Sequence, residues 1–162
     1  RFCRSCGAGR RCHYCTCEAI VGAMNPLYKQ RLSLERSIDE LPRIVAFTEA
    51  FFKAADVQEK LRFTVDLLIE EVFVNLVKYN VSTHKILLEL TPFGHGVKLR
   101  FTDFDVDKFD PRDAPQVDIE APLSERTPGG LGVYLSLKIA DHIDYEYNKR
   151  TSQLTITLLE KS

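Results

Sequence analysis

Two pairs of alternating stretches constrain this chain more than any other feature, because each pair closes around a turn. Ile86, Leu88 and Leu90 share one side of an extended stretch; Pro92-Phe93-Gly94-His95-Gly96 is a turn; Val97, Leu99 and Phe101 then alternate with Lys98, Arg100 and Thr102. Near the end, Ile143, Tyr145 and Tyr147 alternate with Asp144 and Glu146, and after a turn at 149–152, Leu154, Ile156 and Leu158 alternate with Thr155 and Thr157. A period of two puts one row of side chains on each face of a strand, so these are two hairpins. Residues 29–35 add a further strand, with Leu32 and Leu34 on one face. Between it and the first hairpin the period changes to that of a helix. One helix is expected over 41–55, with Phe47, Phe51 and Ala54 in step. A longer one is expected over 58–80, apolar at Phe63, Leu67, Val74 and Val77 and also at Leu68, Val72 and Leu76. So wide an apolar surface suits a helix lying on a sheet. The expected fold is α+β: a two-layer α/β sandwich whose mixed, mostly antiparallel sheet carries helices on one face.

With 162 residues the chain suits one domain with a core of its own. A net charge of −1 argues against nucleic acid as a direct partner, and no apolar run is long enough to span a bilayer. No secretory signal pattern is present, so the expected location is cytoplasmic. Residues 1–23 stand apart: they hold four Arg against one Glu, a net of +3, while the rest carries 18 basic and 22 acidic side chains, a net of −4. All five cysteines lie in this head. Cys3, Cys6, Cys12 and Cys15 form two Cys-x2-Cys pairs that could bind zinc, with His13 and Cys17 beside them. The competing and preferred reading is a non-native extension or fragment, with Met24 as the natural start, because short Cys-rich tracts match metal patterns by accident. The expected division is a head over 1–23 and a regular domain over 24–162.

Between Asp103 and Gly129 periodicity fails, and four of the seven prolines fall there. A loop of this length in a compact domain is commonly a lid or a binding loop. It runs into Gly129-Gly130-Leu131-Gly132, just ahead of an apolar helical stretch. Glycines there let the backbone approach a ligand, and the first-turn N–H groups with the helix dipole favour an anion such as phosphate. On the long helix, Glu71 and Asn75 are four residues apart and share a face that Tyr79 continues. Asn75 suits a magnesium ligand, and Glu71 a general base; a plain surface pair is the alternative. Asp103 closes its strand where the loop begins, placed either to accept an exocyclic amine or to serve as an ordinary turn residue.

These residues resemble a known family. The run from Glu71 through Asn75 to Tyr79 resembles the N-box of the GHKL ATPases, which include gyrase, heat-shock chaperones, sensor histidine kinases and MutL. The run from Asp103 through Asp105 and Phe109 to Pro111 resembles their first glycine box, and 118–135 resembles the lid and second glycine box. Phe-Asp-Pro after the first box, Ala-Pro-Leu-x-Glu-Arg in the lid and Gly-Gly-Leu-Gly-x-Tyr-Leu after it look like the RsbW-like anti-sigma factor serine/threonine kinases. The likeness covers about 28–160, with the boxes in the family's order.

The resemblance implies a Bergerat ATP-binding fold and Mg-ATP as cofactor. It implies Glu71 as catalytic base, Asn75 as the group on magnesium and Asp103 on adenine. Asp105 and Phe109 would line the cofactor, Gly129, Gly130, Leu131 and Gly132 would cradle the phosphates, and Thr155 on the last strand would support the adenine side. Arg126 in the lid is placed to reach the γ-phosphate with its forked donors. The implied partners are an anti-anti-sigma (STAS-domain) protein carrying the acceptor serine, a sigma factor and a second copy in a homodimer. The chain departs from the family mildly at Tyr79-Asn80 after the N-box and more sharply in the first box, where Asp-x-Gly is usual and it has Asp105. Aspartate tolerates left-handed geometry better than most residues but brings bulk and negative charge towards an anionic ligand. The competing functions are a nucleotide- or partner-binding module without phosphotransfer, which Asp105 favours, the C-terminal domain of a larger phosphatase/kinase fusion, and the ATP-binding half of a sensor histidine kinase.

Overall fold

The computed structural model describes residues 28–108 and 138–160. In chain order these form β1 (Gln30–Leu34), α1 (Leu41–Ala54), α2 (Arg62–Tyr79), β2 (Ile86–Phe93), β3 (Gly96–Phe104), β4 (His142–Asn148) and β5 (Thr151–Leu159). Short 3-10 turns, Ile38–Glu40 and Glu59–Leu61, lead into the two helices. The strands form one sheet in the order β1-β2-β3-β5-β4. All four pairings are antiparallel, so the described sheet is not mixed.

Each strand's alternation is explained by what lies on its two faces. Leu32, Leu88, Phe101, Leu154 and Tyr145 stand in cross-strand register, and their row faces the helices. One residue along, Arg31, Glu89, Arg100, Thr155 and Asp144 form the matching row on the other face. A one-residue slip would exchange these rows, so the core fixes the register. From the helices, Ile44, Phe51 and Phe52 of α1 and Val65, Leu68, Ile69, Val72 and Phe73 of α2 are buried against the apolar side. The long helix starts at Arg62 rather than Gln58, which leaves Phe63 at its first turn 78 % exposed.

The two hairpins close differently. Gly94, with φ +55°, turns β2 into β3. Lys149 and Arg150 turn β4 into β5, both left-handed, with φ +46° and +60°. Two consecutive left-handed residues match the twist of a two-residue hairpin, but glycine and asparagine usually occupy them. Gly96 meets a different demand: a Cβ there would lie 1.9 Å from the Leu158 carbonyl oxygen on the paired strand.

Candidate functional site

The C-terminal half of α2 and the end of β3 meet at Asp103. Its side chain is 1 % exposed, and both oxygens are engaged. Arg36, just after β1, donates from Nη2 to Asp103 Oδ1. Asn80, which ends α2, donates from Nδ2 to Oδ2 at 2.7 Å. The Arg36 guanidinium also donates to the carbonyls of His84 (2.9 Å) and Leu76 (3.4 Å). One planar fork therefore joins β1, the last turn of α2, the loop into β2 and the tip of β3. The Leu76 carbonyl accepts from the guanidinium while also accepting from the Asn80 backbone N–H at 3.2 Å, so the cation sits at the negative end of the helix dipole. A carboxylate has about four acceptor positions, so Asp103 keeps capacity for a further donor.

Asp103 lies on the helix side of the sheet, in register with Ser152 of β5. Ser152 is 8 % exposed. Thr155, expected beside the adenine, is in register with Arg100 and Asp144 on the opposite face, and accepts from Arg100 Nε at 3.2 Å. The structure thus does not bring Thr155 to Asp103: the two differ in strand parity. Ser152 is the hydroxyl that stands across from Asp103. Strand periodicity could have found it once the turn of the last hairpin was placed at 149–150.

Glu71 and Asn75 lie on the flank of α2 beside its buried stripe, both partly buried. Asn75 Nδ2 is fully shielded yet has no hydrogen-bond partner among the described residues. An orphaned buried amide costs about 1–3 kcal/mol, so something polar belongs against it. The carboxamide can present its oxygen to the same place by turning over. That chemistry fits an oxygen ligand for a hydrated cation carried by phosphates, with the Glu71 carboxylate one helical turn away.

Asp105, where the resemblance to the first glycine box leads one to expect glycine, has φ +53°. The left-handed backbone that glycine allows is therefore retained. Its carboxylate pairs with Arg150 Nε at 2.5 Å, and Arg150 Nη1 reaches Asp107 at 2.8 Å. The hydrogen bond and charge of Arg150 hold the Asp105 carboxyl below the ordinary aspartate range. The adjoining backbone is tied to the same turn: Val106 N–H donates to the Arg150 carbonyl at 2.9 Å, and Tyr147 Oη to the Val106 carbonyl at 3.0 Å.

Phe109, Arg126 and Gly129, Gly130, Leu131 and Gly132 lie outside the described residues, as do Cys3, Cys6, Cys12 and Cys15 of the head. Among the described residues no three His, Cys, Asp or Glu side chains group to hold a metal ion, and no helix is long and apolar enough to cross a membrane. The residues that sequence reasoning missed are Arg36, Asn80, Ser152 and Arg150. Three of them are contacts between segments distant in sequence, and nothing local marks them.

A family model described as the histidine kinase-like ATPase domain matches residues 34–158. Among solved structures, the RsbU and RsbW domains of Rv1364c from Mycobacterium tuberculosis are similar at a TM-score of 0.57 and 11 % identity, over 81 % of this chain and 32 % of that one. At that identity the likeness is one of fold, and this chain spans about a third of the solved chain's length. No curated protein matches. The family match takes in both hairpins, both helices and the Asp103 cluster, and the chain belongs to the histidine kinase-like ATPase domain family.

Proposed function

We propose that this chain is an ATP-dependent protein serine kinase of the anti-sigma type, acting on a STAS-domain partner. The observation that carries the reading is Asn75: a buried amide without a partner among the described residues, one turn from Glu71, in a histidine kinase-like ATPase domain. ATP is the phosphoryl donor, with adenine towards Asp103 and Ser152 and phosphates towards Glu71 and Asn75. Asp103, already fixed by Arg36 and Asn80, accepts from the exocyclic amine. Asn75 would hold magnesium together with the phosphates, and the metal would supply charge neutralisation. Glu71 takes the proton of the attacking serine hydroxyl as the serine oxygen bonds to the γ-phosphorus and the bond to the departing ADP oxygen breaks. Gly130 and Gly132 offer backbone N–H groups to the phosphates, and Arg126 its guanidinium to the γ-phosphoryl group. A sigma factor and a second copy of the chain complete the set of partners.

A binding module without transfer is the other reading, and Asp105 was its support. The retained left-handed φ and the pairing of the carboxylate with Arg150 remove most of that support.

The test is incubation with labelled Mg-ATP and a STAS-domain partner, comparing wild type with Glu71→Ala and Asn75→Ala. Transfer by wild type, lost by roughly 10²-fold or more in Glu71→Ala while nucleotide binding persists, is the expected result. Asn75→Ala is expected to lose nucleotide affinity. Wild-type binding without transfer to any acceptor would reject the kinase and leave the binding module. No nucleotide binding at all would reject the kinase and leave only a partner-binding module.

A further inference from the structure

Three residues other than glycine have left-handed backbone among the described residues: Asp105, Lys149 and Arg150. All three sit at one place, where the loop leaving β3 meets the turn between β4 and β5. The two-residue hairpin accounts for Lys149 and Arg150, whereas the left-handed Asp105 outside any hairpin turn calls for a local cause. Arg150 is the residue in common. Its guanidinium spans the Asp105 and Asp107 carboxylates and the Asp105 carbonyl (3.4 Å), and its own carbonyl accepts from Val106. Val106, between the two aspartates, is 1 % exposed, so the loop is pinned on both sides of a buried side chain.

The geometry points to Arg150 as a positioning residue of the nucleotide site, supplying from the β4–β5 turn what glycine would supply at position 105. It bonds both the carboxylate and the backbone carbonyl of Asp105, which holds the left-handed turn and offsets the charge of the carboxylate. This rests on the nucleotide reading above, since an anion must bind nearby for the charge of Asp105 to matter. The pair is half-exposed, at 54 % and 53 %. Such pairs add little to folding stability, so the effect belongs in ligand affinity rather than in melting temperature.

The test is a double-mutant cycle read by Mg-ATP affinity: wild type, Arg150→Gly, Asp105→Gly and the double variant. Glycine at 150 accepts the left-handed φ and keeps the carbonyl that Val106 uses, so only the guanidinium is lost. Arg150→Gly is expected to weaken Mg-ATP binding about fivefold, the order expected for one uncompensated charge near an anionic ligand at the surface. In the Asp105→Gly background the same change is expected to have a clearly smaller effect, because only the outlying, 92 % exposed Asp107 carboxylate remains beside Arg150. Arg150→Lys, which keeps the charge and loses the fork, is expected to fall between wild type and Arg150→Gly. Equal losses in both backgrounds would overturn the proposal while leaving the nucleotide reading intact. Failure of the wild type to bind Mg-ATP would overturn the nucleotide reading, and this proposal with it.

Discussion

Arg36→Ala is the sharpest perturbation of this fold. Asp103 is 1 % exposed and Arg36 12 %, so the change strands a buried carboxylate with Asn80 as its remaining side-chain donor. Removing one partner of a buried ion pair typically costs about 3–5 kcal/mol. Asn80 still donates to Asp103, and the Leu76 carbonyl still accepts from the Asn80 backbone, so the lower end, about 3 kcal/mol, is expected. Urea unfolding measures it: the midpoint should fall while the slope with denaturant stays constant. A domain of this size should lose roughly 10 °C in melting temperature. Asp103→Asn in the Arg36→Ala background removes the stranded charge and should return about 2 kcal/mol, a coupling that a generic packing loss would not show. A loss under about 1 kcal/mol in Arg36→Ala, or no recovery in the double variant, would refute the view that this pair is the buried electrostatic tie between β1, α2 and β3.

Gly96→Ala should destabilise by about 3 kcal/mol or more, because its Cβ would meet strand backbone, the Leu158 carbonyl at 1.9 Å, rather than a side chain that can move; urea unfolding reads the loss. Lys149→Asn should raise the unfolding free energy by about 0.5–1 kcal/mol, since asparagine accepts φ +46° more readily and Lys149 is exposed; urea unfolding reads the gain. Glu89, 5 % exposed, is pushed upward by its burial, but its bonds to Lys29 (2.5 Å) and Arg31 (2.7 Å) prevail and hold its carboxyl below the ordinary value of 4.5. With the folded value depressed, its contribution is fully present above pH 4.5 and is lost as pH falls through the folded value. Glu89→Gln should therefore flatten the acid limb of the stability–pH curve below pH 4.5 and leave the slope from pH 6 to 8 unchanged.

What was legible in the sequence was what repeats. The row from Leu32 to Tyr145 recurs at the strand period, so the sheet and the hairpins follow from spacing. On the long helix the spacing singled out Leu68 and Val72, which are buried, but also Phe63, which is exposed, and it passed over Val65, Ile69 and Phe73 of the buried stripe. Glu71 and Asn75 were legible because helix spacing fixes their common flank. Period alone leaves the boundaries open by several residues. The last turn was read as 149–152 and is two residues, Lys149 and Arg150, with Thr151 already in β5. Thr155 was taken for the hydroxyl of the adenine side although its strand parity sets it on the other face, where Arg100 holds it.

Contacts that join distant segments had no local signature at all. Arg36 reads as one more surface cation until the fold carries Asp103, 67 residues away, onto it. Asp105 shows what such blindness does to a functional argument. Read along the chain, it is a glycine replaced by a charged, bulkier residue, and it argues for a failing site. Read in space, the backbone angle glycine would provide is still there, and the added charge has a partner 45 residues away. Asp105 and the cation that pairs with it lie on different hairpins. A departure from a family motif therefore counts against function only after the surroundings have been searched for the side chain that answers it.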